Sequence, residues 1–366
     1  MVDILNSPPK KGRGAISNES GRFENHTRHL VEDGWDNIHD DDALRPPTLK
    51  TEVSTEMPKR IISWNASPDV PFDRSINPYR GCEHGCIYCF ARPTHAYQGL
   101  SPGLDFETRL FAKPDAAKIL DRELRKPRYF CKTIQLGSNT DPYQPIERRL
   151  EITRSILQTL AAFNHPVTIT TKSDLVLRDL DILAPMAEKG LAAVGLSVTT
   201  LDSTLARTME PRAPTPKKRL AAIKLLSDAG IPVRVMLAPV IPALNDWELE
   251  RIIGAAAEHG ATGANYILLR LPGEVAGLFR QWLQTYAPLK TNHVLSLMKQ
   301  SHKGALYIAD YGERMSGSGQ YAALISKRYQ LALKRSGLLP RTPNHDALDC
   351  TQFLAPLARG DQLALF

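Results

Sequence analysis

The feature that most constrains the fold is a regular alternation of short apolar runs and longer helical patterns through the middle of the chain. Five β-branched runs have the length of buried strands, at residues 132–136, 167–171, 193–198, 233–237 and 266–269. Segments rich in Ala, Leu, Lys and Glu alternate with them, and we predict helices at residues 114–125, 146–163, 178–189, 216–229 and 246–259. This alternation predicts an α/β fold with a parallel sheet and helical crossovers.

A further strand signal near residue 75 brings the count to six β/α units over residues 75–271, fewer than the eight of a closed barrel. We predict four parts of the chain. They are a flexible or wrapping N-terminal extension (1–60), the α/β core (61–272), a helical extension with interleaved aromatic and basic residues (273–341), and a tail (342–366). In parallel barrels the chemistry lies at the C-terminal ends of the strands, so the segments after each strand are the candidate site.

Three cysteines follow the first strand with the spacing C-x3-C-x2-C: Cys82, Cys86 and Cys89. Their thiolates would hold three irons of a cubane and leave the fourth iron without a protein ligand. A structural zinc loop with His84 or His95 as the fourth ligand is the alternative. Because the sequence has no second C-x2-C pair and no H-x3-H pair, an iron-sulfur cluster is the favoured interpretation.

The spacing, with the aromatic Tyr88 directly before the last cysteine, resembles the signature of the radical S-adenosylmethionine (SAM) superfamily. The resemblance implies a partial (β/α)6 TIM-like barrel with a [4Fe-4S] cluster in the loop after the first strand. It implies that SAM is reduced there to a 5′-deoxyadenosyl radical, with Tyr88 beside the adenine. It also implies an external electron donor such as flavodoxin or ferredoxin.

Polar residues follow the other predicted strands, and their chemistry suits a cationic, carboxylate-bearing cofactor with a ribose. Carboxylates can receive the SAM ammonium, a lysine can meet a carboxylate or phosphate, and hydroxyls can reach ribose. The candidates for cofactor binding are Asn139, Asp141, Lys172, Ser197, Thr199, Glu210 and Arg212. For Glu210 and Arg212, a salt bridge that stiffens the loop is an equally open interpretation.

The segments GSNTDPYQPIE, TKS, SVTT and EPRAP are similar to the branch that contains spore photoproduct lyase and relatives described as DNA repair photolyases. This resemblance covers about residues 75–272 and implies lyase-type repair chemistry on DNA. The sequence departs from it at Ser138, where the lyase carries the cysteine that returns a hydrogen atom to its product. An O–H bond is too strong for that role, and Tyr143 is a candidate catalytic substitute.

The charge balance is compatible with a nucleic-acid partner. The chain has 46 Lys and Arg against 39 Asp and Glu, a net charge of +7. Single basic clusters, such as 217–219, are more often solvated helix faces than phosphate contacts. A radical SAM enzyme acting on RNA, protein or a small molecule therefore stays an alternative, as does a non-catalytic metal-binding interaction protein.

Two expectations concern the chain ends and location. The residues Gln362–Phe366 are similar to the peptide that docks repair proteins on the bacterial sliding clamp, and an apolar tail folded back on the domain is the alternative. The N-terminus is polar and no apolar stretch has the length of a membrane span. We therefore expect a cytoplasmic protein without a membrane partner.

Overall fold

The computed structural model describes residues 9–24, 49–339 and 348–357. The strands in chain order are β1 (Glu52–Thr55), β2 (Ile62–Trp64), β3 (Arg74–Ile76), β4 (Tyr79–Arg80), β5 (Arg109–Ala112), β6 (Ile134–Leu136), β7 (Val167–Thr171), β8 (Ala192–Ser197), β9 (Val233–Val240) and β10 (Gly263–Leu268). The α-helices are α1 (Asp105–Thr108), α2 (Ala116–Leu124), α3 (Glu147–Leu150), α4 (Ile152–Ala162), α5 (Leu180–Glu188), α6 (Ser203–Met209), α7 (Pro216–Asp228), α8 (Leu249–Glu258), α9 (Val275–Tyr286), α10 (Thr291–Ser301) and α11 (Gly319–Ser336).

The main sheet has seven strands in the order β10-β9-β8-β7-β6-β3-β2. The six strands from β10 to β3 pair in parallel, and β2 pairs antiparallel with β3 at one edge. Within the described ranges no pairing joins β10 to β2, so the sheet stays open. The prediction of a six-unit parallel core is confirmed.

The predicted helix over residues 146–163 is instead two helices, α3 and α4, separated at Glu151. Glu151 has a positive φ of 51°, which ends the first helix and redirects the chain. The buried carboxylate of Glu147 then accepts hydrogen bonds from the backbone amide of Thr153, at 3.0 and 3.1 Å, close to the start of α4. A capping carboxylate supplied from the preceding helix has no simple signature in the local sequence pattern.

A second, three-stranded sheet in the order β1-β5-β4 was not predicted. Its strand β1 lies inside the predicted N-terminal extension and pairs in parallel with β5. The sequence of β1, EVST, is mostly exposed and has no alternation of buried and exposed positions. Because pairing rather than a buried face defines this strand, hydrophobic periodicity could not reveal it.

Helix α9 packs against the cysteine loop, and α11 packs against α8 and β10. Trp282 of α9 is fully buried in an apolar cluster with Ile87, Tyr88 and Met209, and its indole donates to the Thr208 carbonyl at 2.9 Å. Tyr329 likewise donates to the Ala264 carbonyl, so some of the aromatics interleaved with basic residues are packing groups, whereas Tyr286 and Tyr311 are exposed. Among the described helices, none is both long and apolar enough to cross a membrane.

Candidate active site at the cysteine loop

The cysteine loop begins directly after β4, at Gly81. This glycine has φ +72°, and a Cβ there would lie 2.8 Å from the Phe106 carbonyl oxygen, so the turn needs a glycine. The loop faces a cavity of about 260 Å³ between itself and the C-terminal ends of the main-sheet strands. A parallel sheet thus brings sequence-distant strand ends to one site.

Most of the predicted site residues meet at this cavity. Those that line it are Cys82, Cys86, Tyr88, Cys89, Asn139, Asp141, Lys172 and Ser197. Ser138 lines it as well, and its hydroxyl accepts a hydrogen bond from the Asn77 amide at 3.1 Å. Asn77 also accepts from the backbone amide of Asn139 at 2.9 Å, so it fixes the turn after β6.

The three cysteines of the loop carry free thiols that are largely buried. Cys82 and Cys86 are buried and Cys89 is partly buried. Burial raises the pKa of all three thiols, to about 12 for Cys86. Iron would have to displace these protons, because the thiolate is the metal ligand.

Each of the two histidines that a zinc loop would need has one ring nitrogen beside another acceptor. His84 Nδ1 lies 3.2 Å from an Asp141 carboxylate oxygen, and His95 Nε2 lies 2.8 Å from the Arg109 carbonyl. Among the residues that the structure describes, no three His, Cys, Asp or Glu side chains come together as a site for a single metal ion. In a cubane, by contrast, each cysteine binds a different iron.

Asp141 is held as a carboxylate at the cavity wall. It accepts hydrogen bonds from the Thr171 hydroxyl at 2.6 Å and from the Lys172 backbone amide at 2.8 Å. Burial opposes the charged form, but His84 and these two donors outweigh it and lower the pKa of Asp141 to about 2. The cavity wall therefore carries an ionised carboxylate beside His84 of the cysteine loop.

Glu210 forms a second buried charge centre beneath Tyr88. Its carboxylate accepts from the Tyr88 hydroxyl, from the Arg219 guanidinium, and from the Thr199 hydroxyl at 2.8 Å. Burial disfavours the ion, yet Arg219 and Lys172 lower the pKa of Glu210 to about 2. Lys172 also lies 5.7 Å from the Tyr88 ring centre. The network fixes the orientation of Tyr88.

Four predicted site residues do not line the cavity. Thr199 and Glu210 belong to the network beneath Tyr88, and Arg212 forms an ion pair with Glu83 at 3.0 Å. Tyr143 is fully buried and donates to Asp179 at 3.0 Å. Because Asp179 holds the hydroxyl away from the cavity, the structure does not bring the predicted hydrogen donor Tyr143 to the site.

Several residues that shape the site were not singled out in the sequence. His84 was considered only as a zinc ligand, and Asn77, which lies between β3 and β4, was not considered. Arg219 belongs to the basic run 217–219 but is buried against Glu210 rather than solvated. Arg270 and Phe90 line the mouth of the cavity. Arg270 had a positional signal in the sequence, because it directly follows the sixth predicted strand at residues 266–269.

The sequence of residues 76–256 matches the family model described as the Radical SAM superfamily. Uncharacterized proteins of Mycobacterium bovis and Mycobacterium tuberculosis are 39% identical over 265 residues, which cover 72% of this chain and 76% of each relative. An uncharacterized protein of Methanocaldococcus jannaschii is 33% identical over 205 residues, covering 56% of this chain and 73% of that relative. The chain belongs to the radical SAM superfamily, which is a family of enzymes. Membership of this family implies a [4Fe-4S] cluster and SAM.

Among solved structures, the fold is similar to that of spore photoproduct lyase. The complex of that enzyme with dinucleoside spore photoproduct has a TM-score of 0.56 at 15% identity, and the match covers 77% of this chain and 79% of that chain. A variant with bound AdoMet and the same dinucleoside has a TM-score of 0.56 at 16% identity, over 77% and 78% of the two chains. At these identities the likeness shows a shared fold.

Proposed function

We propose that Cys82, Cys86 and Cys89 hold a [4Fe-4S] cluster and that SAM binds in the adjoining cavity. The observation that carries this proposal is the convergence of three thiols, a carboxylate (Asp141) and an ammonium (Lys172) around one buried cavity. When bound, the cluster and SAM together supply a 5′-deoxyadenosyl radical. The reducing electron comes from an external donor of the flavodoxin or ferredoxin class.

The residues around the cavity have distinct tasks in this proposal. Asp141 receives the SAM ammonium as a fixed carboxylate, and Lys172 balances negative charge beside Cys86. Tyr88, held by Glu210, forms an immobile wall for the adenine. Asn139 follows β6 and Ser197 ends β8, so they present polar groups on the two sides of β7, the strand that Lys172 follows.

We further propose that the substrate is nucleic acid, in a repair or base-modification reaction. Support comes from the fold shared with a lyase whose structure contains a dinucleoside photoproduct, and from the net charge of +7. Ser138 sits at the cavity where the resemblance expects a cysteine, so the same return of a hydrogen atom is not proposed. The clamp-like residues Gln362–Phe366 would bring the enzyme to DNA, but they lie outside the described residues.

The test is anaerobic reconstitution followed by an assay for reductive cleavage of SAM to 5′-deoxyadenosine. Replacing Cys82, Cys86 or Cys89 by Ser should abolish iron binding and SAM cleavage. Cys131→Ser is the matched control, because Cys131 lies outside the cavity, and it should retain both. A colourless, zinc-loaded wild-type protein would support the non-catalytic alternative.

Nucleic-acid binding is tested separately, across a salt series. Phosphate contacts impose a steep fall of affinity with salt, whereas a protein or small-molecule substrate does not. We expect a steep slope for DNA, together with SAM cleavage stimulated by DNA. Absence of DNA and RNA binding in an enzyme that still cleaves SAM would favour another substrate class. A fluorescent peptide of residues 357–366 should bind purified bacterial sliding clamp.

A further inference from the structure

Arg270 lies at the mouth of the cavity, just beyond the C-terminal end of β10, between two aromatic rings. Its guanidinium carbon is 5.3 Å from the ring centre of Phe90 and 5.8 Å from that of Tyr307. Arg270, Phe90 and Met315 all line the cavity. The two rings and β10 hold the guanidinium in a fixed place at the entrance.

The hydrogen-bonding capacity of Arg270 is largely unused. Its Nε is buried and has no acceptor among the described residues. Nη1 lies 3.3 Å from the sulfur of Met315, a weak acceptor, and Nη2 lies 3.5 Å from the hydroxyl of Tyr307, at the limit of a hydrogen bond. A guanidinium that is partly desolvated and poorly paired is costly unless an acceptor binds it.

Other arginines near this end of the molecule have carboxylate partners. The pairs are Arg92 with Glu107, Arg212 with Glu83, Arg219 with Glu210, and Arg314 with Asp69. No carboxylate in the described part of the chain forms such a pair with Arg270. No neighbouring carboxylate among these residues neutralises its positive charge, so the charge is available to an anion at the cavity mouth.

The geometry points to Arg270 as the receptor for a phosphodiester of the substrate strand. Guanidinium matches the paired oxygens of a phosphate, and aromatic rings beside it offer surfaces on which bases stack. Phe90 is 45% exposed and Tyr311, which packs against Arg314 at 4.7 Å, is 61% exposed. A single strand can therefore lie across exposed rings while one phosphate meets Arg270 and the neighbouring nucleotide enters the cavity.

This inference rests on the proposed action on nucleic acid and makes it more specific. A free base or nucleoside has no anion for Arg270, so the enzyme would recognise a nucleotide within a strand. The SAM carboxylate is the other oxyanion that the same guanidinium could bind. The two sources are separated by measuring the affinity for SAM and the affinity for the strand in the same variants.

The experiment uses the reconstituted holoenzyme with SAM and without reductant. Binding of a short fluorescent thymidine oligonucleotide is compared with binding of the same oligomer carrying uncharged methylphosphonate linkages, at a salt concentration that screens distant charges. We expect the wild type to prefer the phosphodiester by about tenfold, as one charge-assisted contact would give. Arg270→Gln should lose this preference and keep its affinity for SAM. Lys334→Gln removes an exposed charge on α11 and should retain the preference.

Each other outcome overturns a defined part of the inference. If Arg270→Gln binds SAM more weakly but keeps the wild-type affinity for each oligomer, the guanidinium binds the SAM carboxylate. If the wild type binds both oligomers with equal affinity, the phosphodiester contact is wrong while action on nucleic acid stands. If the wild type cleaves SAM but binds no oligonucleotide or DNA, the proposed substrate class fails as well.

Discussion

Arg92 and Glu107 form an ion pair of 2.5 Å in which neither side chain is exposed to solvent. Arg92 also donates to the backbone carbonyls of Gly85 and Cys86, at 3.1 and 2.9 Å, inside the cysteine loop. Glu107 accepts from the backbone amide of Gly14 at 2.9 Å. One buried pair therefore ties the N-terminal segment to the loop that we propose holds the cluster.

Glu107→Gln should destabilise the protein, because it leaves the charge of Arg92 buried without its partner. We expect a loss of about 3 kcal/mol in the free energy of unfolding, the usual cost of breaking a buried pair. Urea unfolding of the apo-protein measures this loss, and iron content after reconstitution should fall with it. The control is Glu274→Gln, since Glu274 pairs with the half-exposed Arg22 and should cost less than about 0.5 kcal/mol. Equal losses in the two variants would contradict the prediction.

Gly14→Ala should detach the N-terminal segment from the cysteine loop. An added Cβ would lie 1.8 Å from the Gly85 carbonyl oxygen, so one of the two backbones must move. We expect a loss of about 1–3 kcal/mol from overpacking and faster loss of iron in air. Gly254→Ala is the matched control, because its Cβ would meet no atom within 4 Å in the helix α8. Iron retention equal to wild type in Gly14→Ala would contradict this prediction.

Arg219 and Lys217 belong to the same basic run, but replacing each by Met should change the stability of the protein by different amounts. Arg219→Met leaves the Glu210 carboxylate without its buried cation, and we expect a loss of about 3–5 kcal/mol in unfolding free energy. Lys217→Met alters an exposed side chain and should change stability by less than about 0.5 kcal/mol. Thermal and urea unfolding of both apo-proteins would measure the contrast. Similar stabilities would mean that Glu210 does not depend on Arg219.

Stability should depend on pH through His165, which is fully buried and bonded to the Tyr129 hydroxyl at 2.7 Å. Burial lowers the pKa of His165 from 6.5 to about 4, so the folded protein keeps it neutral. Between these values the unfolded chain binds more protons, and stability falls as the pH falls. The shift corresponds to about 3 kcal/mol lost from pH 7 to pH 4.

The contribution of His165 is isolated by comparison with His165→Gln, which cannot titrate. Urea unfolding of both proteins from pH 7 to pH 4 should show a smaller pH dependence in the variant, by about the same 3 kcal/mol. Carboxylates titrate in both proteins and cancel in the difference. Parallel pH profiles would show that His165 is protonated in the folded state or solvated there.

Much of the core fold followed from local pattern. The strand at residues 167–171 was predicted with its observed bounds, and the helix at 216–229 differs by one residue from α7. These elements bury one regular face, so hydrophobic periodicity reports them. Hydrophobic periodicity did not reveal β1, because this mostly exposed strand is defined by its pairing with β5, a segment far away in the chain.

Part of the candidate site also followed from the sequence, and part did not. The positions of Asp141 and Lys172 at the cavity were expected, since parallel strands end at one rim. The sequence could not show that Tyr143 faces away from the cavity, because the direction of its side chain depends on Asp179, which lies on another segment. Sequence spacing locates a backbone position but does not set the partner of a buried hydroxyl.

By itself the sequence determined the cysteine spacing and the six-unit alternation, and hence the superfamily, because both follow from the order of residues along the chain. Only the tertiary structure decided which charges are buried pairs and which face the cavity. Arg92 and Arg219 are paired with the buried acids Glu107 and Glu210, whereas Arg270 is left with two aromatic neighbours and weak acceptors. Burial and pairing are properties of the packed chain, so three arginines that look alike in sequence differ in what they can bind.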